Sequence, residues 1–186
     1  MFIRFVRVVI TAFYAVFHPL RVEGRERIPG EGAFILALNH TSFLDAFTAF
    51  LLLPNDARYM AKKELFRHQP LKWFITKIGA FPVDRSGNDM DAMRTTLAAL
   101  KDGHPLTIFP EGHRYKDGFI HELKTGTAFI AMRAGVNVIP ARVHTSYRPF
   151  ARVFVRVGEP IVPEGRVSSA ALEGFTAQLK QSLENL

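Results

Sequence analysis

An α/β domain with a mixed, largely parallel sheet flanked by helices is the fold class that this sequence of 186 residues predicts, on three observations. Short β-like apolar runs alternate with stretches of helical periodicity. A hydrophobic fraction of 48% with 22% charged residues is that of a globular chain, long enough to bury about two-thirds of its unfolded surface as one domain. Three polar clusters each follow an apolar run directly: "NHTSFLD" after "AFILAL", "DRSG" after "AFPV" and "PEGHR" after "LTIF". If those runs are parallel strands, the clusters converge on the sheet edge where open α/β folds place their ligands.

The elements follow in order. Read as a helix, the opening "MFIRFVRVVITAFYAVFH" places Arg4, Arg7, Thr11, Tyr14 and His18 on one narrow polar stripe of an otherwise apolar cylinder. The run from Val8 to Phe17 falls far short of the about 20 residues needed to span a bilayer. An amphipathic interface helix over residues 1–20 is therefore expected, its phenylalanines and valines among acyl chains and its arginines on lipid phosphates. Packing of that helix on the domain's own core is the alternative; a signal peptide is disfavoured because "AVFHPL" is a poor cleavage site. A turn-rich approach, "HPLRVEGRERIPGEG", leads into the rest. Strands are expected at Ala33–Leu38, Arg58–Ala61, Ala80–Val83, Leu106–Phe109, Val136–Val143 and Arg152–Val157. Helices are expected at Phe43–Leu53, within Lys63–Ile78, and at Met90–Lys101, Thr125–Ala134 and Ser169–Leu183, the last with a serine cap.

Charge narrows the partners. A formal charge of +7 and a pI near 10.0 imply an anionic one: nucleic acid, an anionic membrane surface or a phosphorylated substrate. The absence of cysteine removes disulfides, thiolate metal sites and a cysteine nucleophile, and fits a reducing compartment such as the cytoplasm.

In "NHTSFLD", Ser42 and Asp45 have the spacing of a capping box that opens a helix near Phe43, which explains Asp45 without catalysis. It leaves His40 unexplained. A carboxylate one turn inside the helix can reach back to one imidazole nitrogen while the other takes a proton from substrate. Asp45→Asn separates the two roles: a cap predicts full activity, a dyad predicts lost activity at unchanged melting temperature. In "FPEGHR", Glu111 sits at a sharp turn and Arg114 offers a planar fork for phosphate or carboxylate, against the alternative of an internal Glu–Arg pair. Arg85 in "FPVDRSG" is a further phosphate ligand, or the partner of Asp84.

Taken in order, "NHTSFLD", "GAFPVDR", "FPEGHR" and "VIPARV" resemble the four blocks of the glycerolipid acyltransferase family, the 1-acylglycerol-3-phosphate O-acyltransferases or lysophosphatidic acid acyltransferases. The likeness runs from about Val22 to Glu159 and takes in "AKKELF" and "LKTGTAFIAMRAG". It implies an acyltransferase domain over residues 21–186 in which His40 is the general base and Asp45 its orienting partner. It also implies that Arg85, Glu111, Gly112 and Arg114 bind the glycerol phosphate of the acceptor, with Lys62 a further phosphate contact and Pro140 marking the fourth block. One block departs from the family pattern. His113 and Tyr115 stand where F-P-E-G-T-R-S has small hydroxyl residues, which bears on the acceptor head group.

The chemistry implied is direct transfer of an acyl group from acyl-CoA or acyl-carrier protein to the hydroxyl of a lysophospholipid. No metal or other cofactor is expected, and with neither a G-x-S-x-G elbow nor a cysteine there is no evident carrier for an acyl-enzyme. The expected location is the cytoplasmic face of a membrane. A metal-dependent hydrolase using His40, Asp45, Glu111 and His113 or His121 lacks any tight ligand spacing. A non-catalytic membrane- or nucleic-acid-binding module would explain the charge but not three clusters at strand ends. No RNP-like motif or basic recognition helix marks nucleic acid as a partner.

Overall fold

The structure, a computed structural model, describes residues 1–84 and 90–186. Its strands are β1 Leu20–Glu23, β2 Ile35–Leu38, β3 Arg58–Lys62, β4 Ala80–Val83, β5 Leu106–Ile108, β6 Val138–His144 and β7 Val153–Val157. They form one sheet in the order β1-β7-β6-β2-β5-β3-β4, parallel throughout except between β6 and β7. Around it lie α1 Phe2–Phe17, α2 Asp45–Leu52, α3 Gln69–Lys77, α4 Met90–Lys101, α5 Gly126–Ala134 and α6 Ser169–Glu184, with 3₁₀ turns at Arg25–Arg27 and Lys63–Arg67.

The central strand β2 explains the layering. All four of its residues are buried, and they alternate between two cores. Leu36 and Leu38 meet Tyr14 of α1 and Ala49 and Leu52 of α2, while Ile35 and Ala37 meet Leu100 of α4, Ala128 of α5 and Leu179 of α6. A parallel strand covered on both faces reads as an unbroken apolar run, which is why "FILAL" shows no alternation. Ser168 caps α6 as expected, its Oγ accepting from the Ala171 N–H at 3.2 Å.

The helix expected within Lys63–Ile78 is α3, preceded by a 3₁₀ turn and with Pro70 in its first turn. Two details differ from the sequence reading. Strand β1 lies in the stretch read as a turn-rich approach: it is a four-residue edge strand whose Leu20 and Val22 are half-buried and whose Arg21 and Glu23 are exposed. Helix α2 begins at Asp45 rather than Phe43. The capping box is half made: the Asp45 carboxylate accepts from the Ser42 N–H at 2.7 Å, but the Ser42 Oγ accepts from Leu44 at 3.3 Å instead of from Asp45.

Three members of the expected stripe on the amino-terminal helix, Arg7, Tyr14 and His18, face the domain, while Arg4 and Thr11 are exposed. Arg7 donates to the carbonyls of Leu51 (3.1 Å) and Leu53 (2.8 Å) and to Asn55 Oδ1 (3.1 Å), closing the carboxyl end of α2, whose last carbonyls lack helical partners. Tyr14 is buried, its hydroxyl donating to the Leu44 carbonyl at 2.9 Å, and His18 is buried with Nδ1 3.3 Å from the Ala151 carbonyl. Phe5, Val8, Val9, Phe13, Val16 and Phe17 point outward, Phe5 and Val8 each about two-thirds exposed at 66% and 67%. Of the two arginines expected to meet lipid phosphate, Arg7 is instead committed to protein carbonyls while Arg4 is exposed; Val6 and Tyr14 pack inward, and much of the wide apolar face is left uncovered by the domain. At either end the exposed strip continues onto other elements, through Phe2 against Trp73 of α3 (ring centroids 5.3 Å) and Phe17 against Phe150 (5.7 Å). No described helix is long and apolar enough to cross a membrane.

Candidate active site

Strands β2, β3, β4, β5 and β6 all end on one edge of the sheet, so the segments that follow β2, β5 and β6 meet there. Asn39 extends the β2–β6 pairing by a side chain. Its Oδ1 accepts from the Val143 N–H at 2.7 Å and its Nδ2 donates to the Val143 carbonyl at 3.2 Å.

His40 comes next and is fixed on every side but one. Its N–H donates to Glu111 Oε2 at 2.9 Å, its carbonyl accepts from the Tyr115 N–H at 2.9 Å, and its ring lies flat on Phe109 with centroids 4.0 Å apart. Nδ1 is 3.1 Å from Asp45 Oδ2. A carboxylate can only accept, so Nδ1 carries the proton and Nε2 is left with a bare lone pair. Nε2 has no partner among the described residues, and a tenth of the side chain's surface remains exposed.

Asp45 is fully buried and densely solvated by protein. Oδ2 also accepts from the N–H groups of Thr41 (2.6 Å) and Ser42 (2.7 Å), while Oδ1 accepts from the Tyr147 hydroxyl at 2.6 Å. A buried carboxylate with several directed donors holds its negative charge without water. The pair can therefore take a proton at Nε2 and stabilise the imidazolium that results.

The loop after β5 is anchored through Glu111, which is only 3% exposed, with Oε2 on the His40 N–H and Oε1 on the His121 N–H at 3.1 Å. The carboxylate, expected at the acceptor, ties two loops together and sets where His40 sits. Gly112 has a φ of 71°, and a Cβ there would lie 2.8 Å from Lys124 Cε, so its need is for a tight turn. Arg114 is exposed and makes no ion pair among the described residues; its guanidinium lies 3.5 Å over the Phe43 ring.

This geometry sits inside a recognisable sequence family. The family model described as Acyltransferase matches residues 19–144. The chain belongs to the acyltransferase family. It is 35% identical over 123 residues to the 1-acyl-sn-glycerol-3-phosphate acyltransferase of Bacillus subtilis (strain 168), a match covering 66% of this chain and 61% of that protein. It is 31% identical over 144 residues to the enzyme of the same name from Streptococcus pneumoniae (strain ATCC BAA-255 / R6), covering 75% and 53% respectively. The chain thus spans between about half and three-fifths of the length of these relatives. Its fold matches the crystal structure of the 1-acyl-sn-glycerophosphate (LPA) acyltransferase PlsC from Thermotoga maritima, with TM-score 0.77 and 27% identity, covering 98% of this chain and 80% of that one.

The remaining residues expected of an acyltransferase site fall as follows. Lys62, at the end of β3, is exposed and 3.7 Å from Glu64, whereas its neighbour Lys63 is paired with Asp84. Arg85 lies outside the described residues. His113 is exposed; His121 is bonded to Asp117 at 2.8 Å and stacked on Tyr115 at 3.7 Å. Among the described residues no group of three or more His, Asp or Glu gathers as a metal-ligand set.

Asn39, Phe109 and Tyr147 also stand around the His40–Asp45 pair, and the sequence reading passed over them. For Tyr147 a signal existed: "HTSY" follows the apolar run "VIPARV" just as the three recognised clusters follow theirs.

The buried phenols give a pH signature. Burial raises the Tyr14 hydroxyl to about 12, burial pushes Tyr59 upward, and burial followed by the Asp45 charge raises Tyr147. Groups raised above their unfolded value of about 10 contribute stability that is complete below pH 10 and is lost as pH climbs through the folded values. Thermal melts taken from pH 8 to 11 are expected to be flat to about pH 10 and then to fall, by about 1.4 kcal/mol per pH unit for each phenol kept protonated.

Proposed function

We propose that this chain transfers a fatty acyl group from an acyl thioester, acyl-CoA or acyl-carrier protein, to the free hydroxyl of a lysophospholipid, with 1-acylglycerol-3-phosphate giving phosphatidic acid as the leading reaction. The observation that carries it is the dyad: a bare Nε2 on His40, with Nδ1 held by a fully buried Asp45. Nε2 takes the proton of the acceptor hydroxyl as its oxygen attacks the thioester carbonyl. The tetrahedral adduct then collapses, the carbon–sulfur bond breaks, and the departing thiolate takes the proton back from the imidazolium. The step needs no acyl-enzyme, in keeping with the lack of cysteine and with a Ser42 hydroxyl bonded to Leu44 N–H rather than to His40. Arg114, with Lys62 and Arg85, supplies positive charge for the acceptor phosphate, and Glu111 acts through the backbone of His40.

The same reading places the chain at the cytoplasmic face of a bilayer. The outward phenylalanines and valines of α1 bury in the acyl region, and its carboxyl end, at His18, lies against Tyr147 at the active edge.

The test is incubation of the purified protein with labelled acyl-CoA or acyl-carrier protein and a panel of lysophospholipids presented in vesicles, because His113 and Tyr115 bear on the head group. Phosphatidic acid formed from 1-acylglycerol-3-phosphate is expected; acyl transfer to no member of the panel overturns the proposal. In parallel, Val8→Asp/Val16→Asp is expected to weaken sedimentation with anionic vesicles by at least about tenfold with no change in melting temperature, since both side chains are exposed.

A further inference from the structure

We propose that Tyr147 is a positioning residue of the acyl transfer, fixing the plane of the Asp45 carboxylate so that Oδ2 faces His40 Nδ1. The inference rests on the reading of His40 as general base.

The two oxygens of Asp45 are held from opposite sides. Oδ2 takes the backbone of Thr41 and Ser42 together with the imidazole, all within five residues along the chain. Oδ1 has one short donor, the Tyr147 hydroxyl at 2.6 Å, a length typical of O–H donation to an anion; the Thr41 hydroxyl stands back at 3.5 Å. Without Tyr147 the carboxylate is pinned on one side only and can turn about its own axis.

Tyr147 is itself over-determined. Its φ is +47°, a left-handed value that a bulky side chain keeps only where its surroundings insist. Its N–H donates to the Thr145 Oγ1 at 3.1 Å, its hydroxyl also lies 3.3 Å from the Thr48 hydroxyl, and its ring meets His18 edge-on at 5.9 Å. Thr48 is bonded in turn to Tyr14 of α1 at 2.9 Å. Burial and the neighbouring Asp45 charge raise the Tyr147 phenol, so it remains a donor throughout the working range.

Among the described residues the titratable and charged groups around the dyad are Tyr147 after β6, Tyr14 and His18 from α1, and, after β5, Glu111 and Tyr115 at the His40 backbone with Arg114 over Phe43. Removing the Tyr147 hydroxyl leaves the others in place and takes a stabilising donor from the Asp45 anion, which concentrates its charge on the imidazole. The deprotonated base then requires a higher pH.

The experiment compares Tyr147→Phe, Tyr14→Phe and His40→Ala with the parent protein for kcat, acceptor KM, melting temperature and the pH profile of kcat/KM on one lysophospholipid, whose own ionisation cancels between enzymes. Tyr147→Phe is expected to lower kcat by about 10–100-fold with little change in KM, and to move the acid limb upward by about half a pH unit or more. Tyr14→Phe removes an equal-sized hydroxyl one link further away, and is expected to lower the melting temperature with the acid limb unmoved. A Tyr147→Phe enzyme with parental kcat and acid limb, or with only the profile of Tyr14→Phe, overturns the inference while leaving the dyad intact. An active His40→Ala overturns both this inference and the reading of the base.

Discussion

His40→Ala is expected to fold and to lose about 10²–10⁴-fold in turnover, the usual contribution of a positioned proton transfer. Folding is expected to survive because the substitution strands no buried charge. Asp45 keeps the N–H donors of Thr41 and Ser42 and the Tyr147 hydroxyl, and Glu111 keeps the backbone N–H of residue 40, which alanine also has. What is lost is the imidazole and its stack on Phe109, a packing loss of about 1–2 kcal/mol. Steady-state kinetics beside a thermal melt checks both halves. Parental turnover would remove His40 from the chemistry.

Asp45→Asn is expected to cost a comparable factor in turnover and to lower the melting temperature through lost charge rather than lost packing. The amide oxygen takes the Oδ2 position, where three donors converge, and its NH₂ group turns to the Tyr147 hydroxyl, which can rotate to accept. Shape and imidazole tautomer are kept while the negative charge is gone. Bonds to a charged acceptor become bonds to a neutral one, a loss of about 1–3 kcal/mol in all. The sequence alone lets cap and dyad share one carboxylate but ties the catalytic outcome to an unchanged melting temperature. Total burial of Asp45 alters that last expectation, since the carboxylate that holds the turn also holds the His40 imidazole. Asp45→Leu, which leaves the Thr41 and Ser42 N–H groups without their acceptor, is expected to lose the fold's stability along with activity.

How much was legible from the residues varies with the range of the interaction. The His40–Asp45 pair spans five positions and could be read directly, and the convergence of its cluster with "PEGHR" followed from apolar runs ending on one edge. The family resemblance assigned Glu111 to the acceptor, and its place between proline and glycine at a strand end suggests a carboxylate near solvent. Its partner is a backbone N–H 71 residues away, and no side-chain pattern announces a backbone donor. Tyr147 reaches Asp45 across 102 residues from a left-handed turn that only the folded loop defines. The polar stripe on α1 was visible, but which way it faced was decided by the open carbonyls at the end of α2, since arginine, tyrosine and histidine serve water and carbonyls equally well. Strand β1 escaped because four residues carry too little periodicity to stand out among prolines and glycines.

The polar attachment of α1 separates two properties along a single helix. Inward positions, Arg7, Tyr14 and His18, are tied to the carbonyls and hydroxyls of the domain and tolerate little change. Outward positions such as Phe5, Val8, Val9 and Val16 are exposed, so they are expected to accept larger, smaller or more polar side chains to suit a different surface while the geometry around His40 and Asp45 stays as it is. If the proposed function holds, affinity for a surface and rate at the dyad are expected to be adjustable independently, by choosing the side of one cylinder on which to work.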